Sequence, residues 1–175
     1  CMICGLDIST SITGVTILDK SGKIIHNEAW DLRKFKDFFR KAKFIRSQIT
    51  ILSSKYEEIE EVYIEQSLQS FRSGFSSAKT LSTLSRFNGV VSWLIYEHTG
   101  VVPEYLSAAS ARKACGIKIK RGEKAKQKVV EFLLDKEPQF VVEYTKYGNF
   151  KPECFDKADS IVIAKAGYLC QQNRK

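Results

Sequence analysis

The chain has 175 residues, 43% of them hydrophobic and 27% charged, the profile of one globular domain with its own core. No apolar run approaches the roughly 18 residues of a membrane span, and no signal-peptide layout opens the chain. Five scattered cysteines argue against a disulfide framework and for reduced thiols in an intracellular compartment, and a formal net charge of +8 directs attention to an anionic partner. The first residue is Cys1 rather than methionine, as expected of a trimmed product.

Two apolar runs, Met2–Ile8 and Val15–Leu18, flank a Ser/Thr/Gly cluster, the pattern of a β-hairpin. The first run is nearly continuous, as in a strand buried on both faces, and Asp7 interrupts it. A carboxylate there is costly unless a cation or metal pairs with it. The plainer reading has Asp7 bonding the turn hydroxyls of Ser9 or Thr10. Cys1 and Cys4 have Cys-x-x-Cys spacing, but that offset points them to opposite faces of a strand, and no second pair completes a zinc site.

After a turn at Ser21-Gly22, Lys23–Trp30 reads as a third antiparallel strand. Asp31 is then the expected N-cap of a long helix to about Tyr56, with Leu32, Phe35, Phe38, Phe39, Ala42, Ile45, Ile49 and Leu52 at i, i+3/i+4 spacing. The short run Val62–Ile64 ends on Glu65 and reads as a strand parallel to the first, which brings Asp7 and Glu65 side by side at their carboxyl ends. The following polar loop carries Phe71, Arg72 and Phe75, suited to stacking on bases or, equally, to folding inward.

Ala78–His98 reads as a helix whose stripe from Leu81 to Ile95 is either core or a subunit interface, and His98 at its end and His26 read as structural. Val101–Leu106 is a fifth strand, Ser107–Gly116 a short helix or turn, and Glu123–Leu134 another helix. The densest basic segment lies here: Arg112, Lys113, Lys118, Lys120, Arg121, Lys124, Lys126 and Lys128, with Glu123 the one acid among them. Interrupted by Gly116 and Gly122, it suits contact with phosphates. Phe140–Cys154 reads as a connecting loop. Asp156 and Asp159 then share one face of a closing helix, with Asp156 also a candidate N-cap. Neither repeats nor a low-complexity linker divide the chain, so residues 1–175 read as a single domain.

Four carboxylates on two strands and one helix would repel unless divalent cations neutralise them, and oxygen donors without histidine or cysteine suit Mg²⁺ or Mn²⁺. With Gly5-Leu6-Asp7 and its Ser/Thr/Gly turn, Tyr63-Ile64-Glu65-Gln66, and Asp156-Lys157-Ala158-Asp159-Ser160 before Ile-Val-Ile-Ala, the chain resembles the RuvC-type Holliday junction resolvases of the RNase H-like superfamily.

The resemblance implies an α/β fold, with a mixed five-stranded sheet of three antiparallel strands and then parallel strands, flanked by helices. It implies that Asp7, Glu65, Asp156 and Asp159 hold two Mg²⁺ ions, with Mn²⁺ as a substitute. Lys113 and Lys124 match lysines that the family sets near the scissile phosphate. A homodimer is implied, using the helix after the second acid, with paired symmetric nicks in four-way DNA junctions that leave 5′-phosphate and 3′-hydroxyl ends. A role in DNA recombination and repair, a branch-migration helicase as partner, and a cytoplasmic setting in a bacterial or phage context go with it. Leu68, Phe71 and Phe75 are the candidates for the residue that holds the junction open, on a loop longer than the family's. The alternatives are a superfamily nuclease acting on other branched DNA or RNA–DNA hybrids, a kinase-like ATP binder, and a catalytically silent junction binder.

Overall fold

A computed structural model describes residues 1–67 and 77–174. Leu68, Phe71, Arg72 and Phe75 lie outside the described residues. The elements run β1 (Met2–Asp7), β2 (Ile12–Leu18), β3 (Ile24–Asp31), α1 (Phe38–Lys55), β4 (Ile59–Glu65), α2 (Ala78–Thr99), β5 (Glu104–Leu106), α3 (Ala108–Ala114), α4 (Ala125–Lys136) and α5 (Pro152–Arg174). The strands form one sheet in the order β3-β2-β1-β4-β5. Pairing is antiparallel between β1, β2 and β3 and parallel from β1 to β4 to β5, the mixed sheet that the sequence implies.

Alternation along the central strands decides which residues meet which helices. Ile3 and Tyr63 turn to a core shared with α3, α4 and α5, while Cys4, Leu6, Val62 and Ile64 turn to a core shared with α1 and α2. Period-two geometry therefore puts Asp7 and Glu65 on the α5 side of the sheet. Burial on the opposite side drives the Cys4 thiol up to about 12, which leaves it inert as a nucleophile.

Close approach of α5 needs missing side-chain atoms. A Cβ on Gly5 would come within 2.6 Å of Ala164, one on Gly167 within 2.2 Å of the Tyr63 ring, and one on Gly14 within 1.9 Å of the Asp156 carbonyl oxygen. Polar contacts then fix the rotation of the helix. Thr16 and Ser160 hydroxyls meet at 2.7 Å in the buried seam, and Asn27 Nδ2 donates to Thr16 Oγ1 at 3.0 Å and to the Lys157 carbonyl at 3.2 Å.

Several boundaries differ from the sequence reading. Asp31 is not a helix N-cap: it ends β3, paired with Ile12, and its carboxylate accepts from Arg33 at N, Nε and Nη2 (3.0, 2.9 and 2.7 Å). Helix α1 begins at Phe38, capped by Asp37, which accepts from the Arg40 N–H at 2.8 Å. Leu32 and Phe35 fit the helical period but belong to a connecting turn, where Leu32 is buried beside Trp30. Strand β5 is only Glu104–Leu106, since Pro103 has no N–H to offer a ladder. The two histidines do have partners, His26 with Glu28 at 2.7 Å and His98 with the Leu94 carbonyl at 2.8 Å.

Gly14→Ala is expected to destabilise the protein by about 1–3 kcal/mol in urea unfolding, through overpacking against α5. Gly89→Ala in the middle of α2, where nothing lies within 4 Å, is expected to be neutral or stabilising by up to about 1 kcal/mol.

Candidate active site

Asp7 is the last residue of β1 and pairs with Gly14 of β2. The missing side chain of Gly14 admits the Asp156 backbone, which delivers the start of α5 beside Asp7. Asp156 and Asp159, one turn apart, share the face of α5 turned to this end of the sheet, and Glu65 ends the neighbouring parallel strand β4. Asp156 is not an N-cap, because α5 begins at Pro152 with a proline where the helix has no N–H bond to lose. The turn hydroxyls do not serve Asp7 either. Ser9 Oγ accepts from the Ser11 N–H at 3.1 Å, and Thr13 Oγ1 binds the Ser9 backbone at both N–H and carbonyl. Lys41 Nζ pins the same turn through the Thr10 carbonyl at 2.6 Å.

The four acids act on one another electrostatically. Burial pushes the Asp7 carboxyl well above its ordinary range, followed by the charges of Glu65, Asp159 and Asp156 and a hydrogen bond with Glu65. Asp159 is pushed up to about 7 by burial first, then by Glu65 and Asp156. Burial likewise raises Asp156 to about 6. The opposing cations are Lys126, which acts on both helix acids, and Arg112, which acts on Asp159. Arg112 on α3 also lines a narrow crevice with Glu65 and Asp159.

Lys113 is exposed on α3 and lines a separate groove with Lys118, and Lys124 caps the start of α4 without a side-chain cap bond. Lys120 and Arg121 are exposed on the α3–α4 connection, where Glu123 accepts from the Lys120 N–H at 2.8 Å and pairs with Lys128 at 3.3 Å. Lys126 is the residue that sequence spacing alone does not single out from this run of lysines. Its signal was available as the position three residues before Val129, the first buried residue of α4, on the helix face turned to α5.

Among the described residues no three carboxylate, histidine or cysteine side chains converge at the spacing of metal ligands. The donor set nonetheless fits a hard divalent cation: only oxygens, with raised pKa values that a nearby positive ion would lower.

Comparison with solved structures places the fold. Thermus thermophilus RuvC in complex with a Holliday junction substrate aligns over 98% of this chain and 95% of its own, with a TM-score of 0.67 at 15% identity. A second T. thermophilus RuvC structure covers 99% and 97%, with a TM-score of 0.64 at 16% identity. The fold is that of RuvC. The yeast mitochondrial Holliday junction resolvase Ydc2 follows with a TM-score of 0.59 at 15% identity, over 98% of this chain and 80% of its own. No family model and no curated protein matches the sequence, so similarity is carried by the backbone rather than by residue identity. Among the described residues no helix is long and apolar enough to cross a membrane.

A raised carboxyl pKa gives stability that is present below about pH 4 and lost as pH rises through the folded values, here about 6 and 7. In chelator, Asp159→Asn is therefore expected to gain on the native protein across pH 5–8, reaching a Tm advantage of about 3 °C or more at pH 8. Adding Mg²⁺ is expected to raise the native Tm and leave that of the variant nearly unchanged. A thermal-shift series in both conditions checks this.

Proposed function

We propose that this chain is a divalent-metal-dependent endonuclease that resolves four-way DNA junctions by paired symmetric nicks. The observation that carries the reading is the meeting of Asp7, Glu65, Asp156 and Asp159 at one end of a RuvC-type sheet, with three of them raised by burial and mutual charge. These four would hold two Mg²⁺ ions, with Mn²⁺ as a substitute. When bound, such ions lower the pKa of an attacking water and stabilise a leaving phosphodiester oxygen.

The chain's own residues account for substrate handling. Lys126 and Arg112 bring positive charge to the acids' rim, where a scissile phosphate would sit. Helix α4 opens with Lys124, Lys126 and Lys128 and has no acid in its first turn. That run is unfavourable for an isolated helix and favourable for one that meets phosphate at its N-terminus. Lys113, Lys118, Lys120 and Arg121 extend the same positive surface along the α3–α4 connection, as contacts that position without reading sequence. Phe71, Arg72 and Phe75 remain candidates for entering the junction. Recombination and repair, and a branch-migration helicase partner, belong to the same reading.

Symmetric nicking requires two sites, hence a homodimer. The expected interface stripe is corrected by burial: Phe87, Val91 and Ile95 of α2 pack into their own core. The outward face is a different one, where Phe39, Val90 and Trp93 line a groove of about 770 Å³ beside Gly89 and Arg86, with Phe39 and Trp93 80% and 58% exposed. We assign the dimer contact to this face.

On a mobile four-way junction, the native protein is expected to give paired nicks in Mg²⁺ and none in chelator, with Asp7→Asn reduced roughly 100-fold or more. Linear duplex and an RNA–DNA hybrid serve as competitors, and preferential cutting of either overturns the junction assignment. Lys126→Ala is expected to lower the nicking rate by roughly 100-fold, and Lys124→Ala by much less. The reverse order would return the phosphate role to Lys124. Trp93→Glu is expected to sediment as a monomer with native-like circular dichroism and to lose coordinated second-strand nicking.

A further inference from the structure

The stretch from Phe140 to Cys154, expected as a connecting loop, contains a pinned hairpin. Tyr144 and Phe150 form an antiparallel bridge. The Thr145 N–H donates to the Asn149 carbonyl at 2.7 Å and the Gly148 N–H to the Thr145 carbonyl at 3.0 Å. Thr145 Oγ1 accepts from the N–H groups of Tyr147 and Asn149, both at 3.3 Å, and Gly148 takes the left-handed position at φ +83°. At the base, the Lys151 N–H donates to the Glu143 carbonyl at 2.9 Å, and the Cys154 thiol bonds the Glu143 N–H and carbonyl at 3.4 and 3.5 Å.

Aromatic contacts tie this hairpin to the candidate site. Tyr144 stacks on Phe150 with centroids 5.3 Å apart, and Phe150 meets Phe155 edge-on at 6.2 Å. Phe155 packs against the α5-side core and is the chain neighbour of Asp156. At the far end Tyr147 is 78% exposed, with Lys146 Nζ 5.1 Å from its ring centroid. The charges near the base are already paired, Lys151 with Glu143 at 3.2 Å and Glu153 with Arg33 at 2.8 Å. A ring held in water on a pre-ordered arm loses little conformational freedom when something covers it.

Its position selects the occupant. Asp156 lies about 6 Å along α5 from Pro152 by helical rise, and the arm adds about 10 Å. Adding the two-residue step from Phe150 to Pro152 bounds the tip to within about seven nucleotides of the acids along a strand, at about 3.4 Å per nucleotide. The chain carries a net charge of +8, and Arg112 and Lys126 rim the same end of the fold. We infer that the hairpin is a second nucleic-acid contact, in which Tyr147 stacks on an unpaired base and Lys146 meets an adjoining phosphate. The inference takes from the nuclease reading only the class of ligand.

The test is equilibrium binding to a four-way junction and to a 20-nucleotide single strand, with Ca²⁺ replacing Mg²⁺, alongside nicking in Mg²⁺. Tyr147→Ala is expected to weaken binding to both DNAs by roughly 10-fold, while Tyr147→Phe binds like the native protein. Lys146→Ala is expected to reduce the salt slope of single-strand binding by about 0.7. Unchanged binding by Tyr147→Ala overturns the inference, and so does a weaker affinity that tracks a change in sedimentation, since the tip would then meet a second copy of the chain. Native protein that nicks junctions while Tyr147→Ala binds normally sinks only the hairpin contact. Native protein that binds but never nicks, with Tyr147→Ala weakened, sinks only the nuclease reading. Native protein that binds neither DNA overturns both.

Discussion

A Cβ at position 14 would lie 1.9 Å from the Asp156 carbonyl oxygen, and the geometry of the acidic site follows from the lack of that atom. With it missing, α5 settles directly on β1 and β2, and the Thr16–Ser160 hydroxyl pair and Asn27 set its rotation. Rotation matters because Asp156 and Asp159 occupy one narrow face of a long helix. Turned by one residue, about 100°, the helix would bury the acids against hydrocarbon or expose them to solvent. The seam between helix and sheet thus sets the distance between carboxylates on different elements.

That arrangement is electrostatically unfavourable. Asp7 is buried beside three other acids, and the compensating charges that act on the helix acids, Lys126 and Arg112, come from the two helices that flank the basic connection rather than from the sheet. A protein selected only for stability would replace such a group with a neutral one, since an unpaired buried carboxylate costs more than the apolar residue it displaces. The rest of the fold carries that cost through two separate apolar cores, one on each face of the sheet.

Much of this was legible in the sequence because it rests on local patterns. Asp7 and Glu65 each break an apolar strand at its carboxyl end, and the expectation of parallel neighbouring strands sets them side by side. Asp156 and Asp159 declare a common face by their spacing. What was not legible depended on partners distant in sequence. Asp31 is as good an N-cap as Asp37 by composition, and only the pairing of β3 with Ile12 and the Arg33 guanidinium decide between them. The α2 stripe reads equally as core or interface until the sheet claims Phe87, Val91 and Ile95. Lys124 and Lys126 differ by two residues in a run of like charges, and only the fold shows that Lys124 is the cap residue of α4 while Lys126 acts on Asp156 and Asp159.

The acidic site draws on the first strand and the last helix, with β4 between them. On a ribosome, Asp7 and Glu65 would emerge well before Asp156 and Asp159, and synthesis at roughly 5–20 residues per second would separate them by several seconds. Until α5 is made, β1 and β2 lack the cover that Gly5 and Gly14 are shaped to receive. The order of translation therefore keeps the four acids apart until α5 has been synthesised.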